Sequence, residues 1–362
     1  MKSKKKFLIA TGGTGGHVFP AYSLAKYFIK KNIQVQIISD DRGYQYLKNY
    51  EDIKIKTINT TTIYKKNIFA SCVSFLKILI AIIQSYFFLR KSKPNVIFGM
   101  GGYASFPICL AAKLLGIQFI LYENNLHIGK ANKYLLPFSN KIFVSYSSLE
   151  GISKKYSSKV LETGNIIRQE ILEHKYTKND NLEKKISILI LGGSQAAKSF
   201  AEKLPNIFKQ CKQNGIHLRL FQQCLESQNS YLKEEYSNLN IENEIFNFSY
   251  NLLNYFEKVD LVITRSGASM LAEILNCKIP LISIPLPSSA ENHQFKNAKY
   301  FENKGYGFLI NENELDVKLF PLIKSIHKDK SLLTQMKNKQ NNHTDILVFK
   351  KIESYLEEFI HD

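Results

Sequence analysis

Twice in this chain a short apolar run ends in a glycine-rich turn and then continues into an amphipathic stretch: ATGGTGGH (10–17) and LGGSQAAKS (191–199). A strand that turns on glycines directly into a helix opens a βαβ unit, and such units build parallel sheet. The same alternation surrounds both turns. FLIA (7–10), IQVQII (33–38), NVIFGM (95–100), FILY (119–122) and IFVS (142–145) read as strands in the first part. ISILILGG (186–193), LRLF (218–221), DLVIT (260–264) and PLISIP (280–285) repeat the pattern later. Helical stretches lie between them, at 20–31, 106–115, 197–214 and 267–276. The strand runs are apolar nearly end to end, as expected for strands covered on both faces. At 362 residues the chain has room for two domains. The expected fold is therefore α/β, with two doubly wound, Rossmann-like domains facing each other across a cleft. The first is expected over residues 1–163 and the second over 164–341. A last segment has Ile346, Leu347, Phe349, Ile352, Tyr355, Leu356 and Phe359 at helical spacing, which predicts a helix within 342–362 that packs back on the first domain.

Charge divides the chain unevenly. The formal net charge is +18, from 49 Lys and Arg against 31 Asp and Glu. Residues 1–150 hold 21 basic and 6 acidic residues, a net of +15, while 151–362 hold 28 and 25, a net of +3. Compositional bias alone raises both halves; the asymmetry points to an acidic partner for the first: nucleic acid, anionic lipid or a phosphorylated substrate. The hydrophobic share of 44% excludes a disordered chain. Five widely spaced cysteines without a C-x-x-C argue against a zinc site or a disulfide framework and fit a reducing compartment. Lys2, Lys4, Lys5 and Lys6 precede only four apolar residues, Phe7 to Ala10, too few for a secretory signal.

One segment is apolar beyond the needs of a core. Phe69 to Leu89 is interrupted only by Ser71, Ser74, Lys77, Gln84 and Ser85, and Lys65, Lys66, Arg90, Lys91 and Lys93 flank it. Its length suffices to span a bilayer. Strands on both sides favour a helix packed on the sheet that offers spare apolar and basic surface to a membrane. A plain core helix and a transmembrane span are the alternatives.

The glycine turns are the first candidates for chemistry. In GGTGGH, Gly12, Gly13, Gly15 and Gly16 let the backbone turn tightly and approach a ligand. The amides at the following helix start favour anions. The turn lacks the G-K-[ST] of a P-loop and the spacing of a dinucleotide fingerprint, which disfavours a nucleoside triphosphatase or a nicotinamide enzyme. GMGGYAS (99–105) and GGSQAA (192–197) are two further strand-to-helix turns. Three such turns point to a ligand with several oxygens or phosphates at the carboxyl ends of two sheets. RSGASMLAE (265–273) follows the strand DLVIT and places Glu273 two turns into a helix, where a carboxylate suits a ribose diol. AENHQFKNA (290–298) then sets His293, Gln294 and Asn297 on one face.

Taken in order, GGTGGH, GMGGYAS, GGSQ, the RSGA…E block and the HQ..NA block resemble glycosyltransferase family 28, of the GT-B type, over residues 5–310. The resemblance implies an inverting transferase that moves N-acetylglucosamine from UDP-N-acetylglucosamine to the muramyl 4-hydroxyl of lipid I, an undecaprenyl-diphospho-muramoylpentapeptide. It implies a peptidoglycan-building enzyme held peripherally at the cytoplasmic face of the inner membrane, with no cofactor, no essential metal ion and no nucleic-acid partner. The lack of a D-x-D pair is consistent with that. The family pattern places Thr14, Gly15, Gly16, Asn125, Arg168, Ser194, the run Ala268, Ser269, Met270, Leu271, Ala272 and Glu273, and Gln294 beside the donor. Ser249 falls where a backbone group reads the uracil. The chain departs from the pattern at Tyr122-Glu123-Asn124-Asn125, where the family has H-E-Q-N, and at Ala196, where it has glycine.

The transfer needs a base and a stabilised leaving group. His17 follows Gly16, and an ordinary imidazole pKa near 6.5 suits a base at neutral pH. A histidine in such a place also serves as a structural cap, and Glu123 is the competing base. Tyr103 and His127 are expected to line the acceptor site. Arg168 and the amides at the GGSQ and RSGA helix starts are expected to meet the diphosphate, Glu273 the ribose, and Gln294 with Asn297 the sugar hydroxyls. A related enzyme with another lipid acceptor and a UDP-N-acetylglucosamine 2-epimerase share the donor reading. A nucleic-acid-binding protein would account for the charge and leave the three glycine turns without a purpose.

Overall fold

The computed structural model describes residues 5–60, 68–174, 185–193, 198–249 and 251–360. It divides into two compact units: unit 1 is Met1–Gln169 with Asp345–Asp362, and unit 2 is Glu170–Thr344. The chain thus leaves unit 1 a few residues after position 163, and returns to it a few residues after 341.

Each unit is a parallel sheet between helices. Unit 1 holds β1 (Lys6–Ala10), β2 (Gln34–Ser39), β3 (Lys54–Thr57), β4 (Val96–Gly99), β5 (Phe119–Glu123), β6 (Lys141–Val144) and β7 (Val160–Glu162), in the spatial order β3-β2-β1-β4-β5-β6-β7. Unit 2 holds β8 (Ile186–Leu191), β9 (Leu218–Gln223), β10 (Glu242–Phe246), β11 (Leu261–Thr264), β12 (Leu281–Ser283) and β13 (Gly307–Leu309), in the order β10-β9-β8-β11-β12-β13. All neighbouring strands are parallel. The winding direction reverses between β1 and β4 and again between β8 and β11. Open sheets of this type bind ligands outside the carboxyl ends of the strands at such reversals.

The central strands are completely buried: Phe7 to Ala10, Val96 to Phe98, and Ile188 to Leu191 are each at most 1% exposed. In unit 1, Phe7 wedges edge-on against Phe28 and Phe98, with ring centroids 4.9 and 5.7 Å away. Offset aromatic packing of this kind adds to the gain from burial. In unit 2, Phe200, Leu204, Ile207, Phe208 and Cys211 of the helix Lys198–Gln213 close over the sheet.

Four strands escaped the sequence reading: β3, β7, β10 and β13. Each lies at a sheet edge, is three to five residues long and has no fully buried run. Partly solvated edge strands need no continuous apolar stretch, so they lose the signal that marks central ones. The first helix begins at Gly15 and not near Pro20, because Thr14 takes the extended conformation of an N-cap and the chain turns helical at once. The closing helix is Val348–Ile360, separated from the helix Ser331–Asn341 by a short turn.

The helix Ile68–Ser92 is inverted. Ser74, Ile78, Ala81, Ser85 and Leu89 form its buried stripe, along the helix Ser105–Leu114. Its opposite side shows Phe75, Leu76, Ile80, Ile83 and Phe87 to solvent, with exposures of 53 to 64%. Among the described residues it is the one helix long and apolar enough to cross a membrane, with a mean hydropathy of 2.0 over Ser71–Ser92.

Both chain crossings are pinned to unit 1 by buried polar groups. Asp345 accepts from the Asn165 backbone amide at 2.9 Å and from the Asn165 side-chain amide at 3.1 Å. The Ile166 amide donates to the Tyr122 hydroxyl at 2.8 Å. Gly164 has φ +99°, and a Cβ there would stand 2.7 Å from Asp345 Oδ1, so no other residue fits without a shift. Farther along, Tyr27 donates to Glu353 at 2.6 Å and stacks on Phe349 at 4.8 Å.

Candidate active-site loops

In unit 1, three loops meet at the carboxyl ends of β1, β4 and β5. The glycine loop after β1 is held by Asp40, at the end of β2. One Asp40 oxygen accepts from the Gly13 amide at 2.9 Å and from the Gly43 amide at 2.8 Å. A Cβ at Gly12 would come within 2.6 Å of both that carboxylate and the Ala104 Cβ, and one at Gly102 within 2.8 Å of the Gly12 carbonyl. The two glycine turns therefore touch backbone to backbone, and only glycine permits it.

His17 lies in the first turn of the helix Gly15–Lys30, half-buried. Its ring rests on Gly101: a Cβ there would sit 3.0 Å from Nδ1 and Cε1. Gly101 has φ +85° as well, so both its conformation and its lack of a side chain serve the imidazole's seat. Tyr103, on the same turn, accepts from Arg42 Nη1 at 2.6 Å. Burial pushes the Tyr103 phenol up, Arg42 pulls it down and Asp40 pushes it up again, for a net rise. The phenol keeps its proton, and with the arginine donating to its oxygen that proton points elsewhere.

Glu123 closes the third loop. Its carboxylate is 2% exposed and saturated. Oε1 accepts from the Asn125 backbone and side-chain amides at 3.2 and 2.9 Å. Oε2 accepts from the Gly129 amide at 2.8 Å and from Asn132 at 2.9 Å. Two oxygens offer about four acceptor sites, and four donors occupy them. Next to it, Asn124 donates to the Gly16 carbonyl at 2.9 Å, which ties this loop to the turn that carries His17. His127 sits on the same loop, its Nδ1 3.1 Å from the Ile128 carbonyl and its ring against Gly151. The structure thus brings Thr14, Gly15, Gly16, His17, Tyr103, Glu123 and Asn125 to one end of one sheet. Arg168 is half-buried at the end of unit 1.

Unit 2 has its own set at the ends of β8, β11 and β12. Ser194, with the rest of 194–197, lies outside the described residues. Gly267 adopts an extended N-cap conformation, and the helix Ala268–Asn276 makes its first hydrogen bond from the Leu271 amide to Gly267 O, at 3.0 Å. The amides of the turn before it head the helix and favour negative charge. Leu271 and Ala272 are completely buried, so side-chain contact with a ligand is closed to them. Glu273 is 6% exposed, also in the buried layer. The Ser266 hydroxyl is buried without a hydrogen-bond partner among the described residues. Gln294 Oε1 accepts from the Ser266 amide at 3.2 Å and the Leu286 amide at 3.0 Å, which leaves its nitrogen as the end available to a ligand. Asn297 donates to the Ser266 carbonyl at 3.1 Å, so it braces the loop from behind. Ser249, beyond β10, accepts from the Asn251 amide at 3.2 Å.

Asp40, Arg42, Asn132 and Arg265 were missed as functional candidates in the sequence. Asp40 carries the local signal of an N-cap, at a strand end just before a helix, and Arg265 that of an arginine before Ser-Gly at a helix head; Arg42 and Asn132 carry none that assigns a role. Among the described residues no group of three or more His, Cys, Asp or Glu is placed to hold a metal ion.

Comparison with known proteins adds a lineage. The description "Glycosyltransferase family 28 N-terminal domain" matches residues 7–144, and "Glycosyltransferase family 28 C-terminal domain" matches 187–349. A protein of Pelagibacter ubique named UDP-N-acetylglucosamine--N-acetylmuramyl-(pentapeptide) pyrophosphoryl-undecaprenol N-acetylglucosamine transferase is 35% identical, over 96% of this chain and 92% of its own. The crystal structure of Acinetobacter baumannii MurG superposes with a TM-score of 0.78 at 25% identity, covering 98% of this chain and 99% of that one. A putative UDP-N-acetylglucosamine 2-epimerase from Listeria monocytogenes shares the fold, with a TM-score of 0.65 at 16% identity and 98% of each chain covered.

Proposed function

The chain belongs to glycosyltransferase family 28, and from that premise we infer that it transfers N-acetylglucosamine from UDP-N-acetylglucosamine to the muramyl 4-hydroxyl of lipid I. The reading rests on the head of the helix Ala268–Asn276. There the first amides of the helix lack intrahelical partners, Gln294 keeps its side-chain nitrogen for a ligand while its oxygen takes the Ser266 and Leu286 amides, and Glu273 stands in the buried layer behind. That set supplies donors for a diphosphate and a sugar and a carboxylate for a ribose.

In the reaction the muramyl hydroxyl attacks the anomeric carbon of the donor. The new glycosidic bond forms as the bond to UDP breaks, and the configuration inverts. His17 takes the hydroxyl proton, and UDP leaves with the bonding pair. Arg168 and the amides at the helix heads stabilise its diphosphate, a charge that grows as the bond breaks. Thr14, Gly15, Gly16 and Asn125 contact the transferred sugar, and Ser249 reads the uracil through its backbone. Tyr103 and His127 face the acceptor. Glu123 does not compete for the base role: with each acceptor site of its carboxylate filled by an N–H, it holds the Asn124–Asn125 loop in place.

The acceptor is a lipid, and the exposed side of the helix Ile68–Ser92 suits a bilayer surface. Its apolar residues Phe75, Ile80, Ile83 and Phe87 would enter the headgroup boundary, while Lys77, Arg90, Lys91, Lys93 and Lys113, all exposed, meet anionic lipid at about 1 kcal/mol each. The serine-bearing stripe stays packed on the protein. The enzyme accordingly docks on the inner face of the membrane and does not thread through it.

The deciding experiment measures UDP release from UDP-N-acetylglucosamine with and without a lipid I analogue. Release that depends on the analogue, with a disaccharide lipid as product, is expected. Acceptor-independent conversion of the donor sugar to its 2-epimer would overturn the reading.

A further inference from the structure

An arginine immediately before Ser-Gly at a helix head looks like a phosphate ligand. The geometry points to another role: we propose that Arg265 is the positioning residue that locks the four donor-side loops of unit 2 into one frame, and that it touches no part of the donor. The proposal deepens the transferase reading above and rests on it.

Arg265 is 7% exposed. Its Nη2 donates to Ser199 Oγ at 3.0 Å and pairs with the Glu312 carboxylate. Its Nη1 faces the carbonyls of Ile284 and Pro285 at 3.3 and 3.4 Å. The guanidinium carbon stands 4.6 Å from the ring centre of Phe200, which is completely buried. Ser199 in turn donates to Glu312 Oε2 at 2.9 Å.

These partners come from different loops. Ser199 stands in the first turn of the helix Lys198–Gln213, which follows β8. Arg265 itself follows β11. Ile284 and Pro285 follow β12, and Glu312 begins the turn after β13. The four strands are neighbours in the order β8-β11-β12-β13. One planar fork thus reaches, from the segment after β11, the segments that follow β8, β12 and β13. Lysine lacks the fork: a single ammonium cannot serve a carboxylate, a hydroxyl and two carbonyls in fixed directions. Glu312 supplies the countercharge that a buried cation requires. The side chain is consumed on partners within the protein, while Gln294 keeps its side-chain nitrogen for a ligand.

The two roles predict opposite responses to Glu312→Gln. Were Arg265 a phosphate ligand, removal of a nearby negative charge would tighten the binding of an anion. As a strut it weakens, the loops loosen, and binding falls. The test measures the dissociation constant for UDP-N-acetylglucosamine by calorimetry, and the KM for donor and acceptor separately. Wild type, Arg265→Lys and Glu312→Gln are compared at a temperature where thermal melting shows each folded. Arg265→Lys is expected to raise the donor dissociation constant and donor KM at least tenfold and to leave the acceptor KM within twofold. Glu312→Gln is expected to raise the donor dissociation constant several-fold. Tighter or unchanged donor binding in Glu312→Gln overturns the proposal, as does an equal loss for donor and acceptor in Arg265→Lys. Wild-type protein that takes up no UDP-N-acetylglucosamine sinks the transferase reading itself; wild type that binds while both variants bind equally well sinks this proposal alone. Should Arg265→Lys fail to fold, Glu312→Gln decides.

Discussion

Two helices, one from each unit, obey the same packing rule with opposite results. Lys198–Gln213 buries Phe200, Leu204, Ile207, Phe208 and Cys211 and shows Lys198, Glu202, Asn206, Lys209 and Gln210 to water. Ile68–Ser92 buries two serines and an alanine among its inner residues and shows phenylalanine, leucine and isoleucine outward. Helix packing selects for small, well-fitting residues where two elements approach closely, and apolar side chains collect wherever water is absent. The inner stripe of Ile68–Ser92 lies close against a neighbouring helix. Its outer stripe is apolar and exposed, and monomeric soluble proteins rarely show contiguous apolar surface of that kind, which is what supports the proposed membrane contact. The charge asymmetry follows the same division: the basic excess belongs to the part of the chain that carries the outward apolar helix. On the proposed reading, two sheets of nearly the same design serve a soluble nucleotide-sugar in one case and a membrane-held acceptor in the other.

The contrast can be broken most severely at His17. His17→Ala is expected to lower kcat by about two to four decades, the usual scale for loss of a general base. On the proposed reading the diphosphate and ribose contacts lie outside His17, so UDP-N-acetylglucosamine binding should stay within twofold by calorimetry. Normal turnover would remove the base from unit 1 and with it half of the comparison. The next effect concerns the outer stripe. Replacing Phe75, Ile80, Ile83 and Phe87 together by serine should reduce co-flotation with anionic vesicles by about a hundredfold or more, because each side chain forfeits on the order of 1 kcal/mol of burial. Turnover of a short-chain, water-soluble acceptor should be unaffected. Flotation equal to wild type would mean that the stripe is not the docking surface. The smallest effect sharpens the boundary of unit 1. Hydrogen bonding from Tyr27 and the nearby Lys31 holds the Glu353 carboxyl below its ordinary value of 4.5. Its contribution, a few tenths of a kcal/mol for a partly exposed pair, is complete above that value and fades as pH falls through the lower folded-state value. Tyr27→Phe should flatten the acid limb of a thermal-stability profile between about pH 5 and 3; an unchanged limb would remove Glu353 from the account.

Much of this was legible beforehand because burial on both faces writes continuous apolar runs, and β1, β4, β5, β8, β11 and β12 all carry one. The glycine turns were equally plain. Gly12, Gly101 and Gly102 are glycines because the Asp40 carboxylate with the Ala104 Cβ, the His17 imidazole and the Gly12 carbonyl, respectively, stand close to where a Cβ would be. What escaped is of two kinds. KIKT (54–57) and ENEIF (242–246) are edge strands whose polar alternation resembles any loop. Glu123 and Arg265 have roles set by partners that only the folded chain brings to them, from the segment just after it for Glu123 and from distant segments for Arg265, so spacing alone assigned Glu123 a chemical task and left Arg265 without one. Asn132 reaches Glu123 from nine residues on, and Glu312 reaches Arg265 from forty-seven.

Asp345 has a consequence for the order in which the molecule is made. Unit 1 is discontinuous: Asn165 and the strand ends near Tyr122 await a carboxylate that the ribosome adds only after the whole of unit 2. Unit 2 therefore has its full sequence in hand first and can close while its neighbour still lacks the helix Val348–Ile360 and the Asp345 clasp. A chain cut between the end of unit 2 and Asp345 would leave unit 1 unfinished and unit 2 whole.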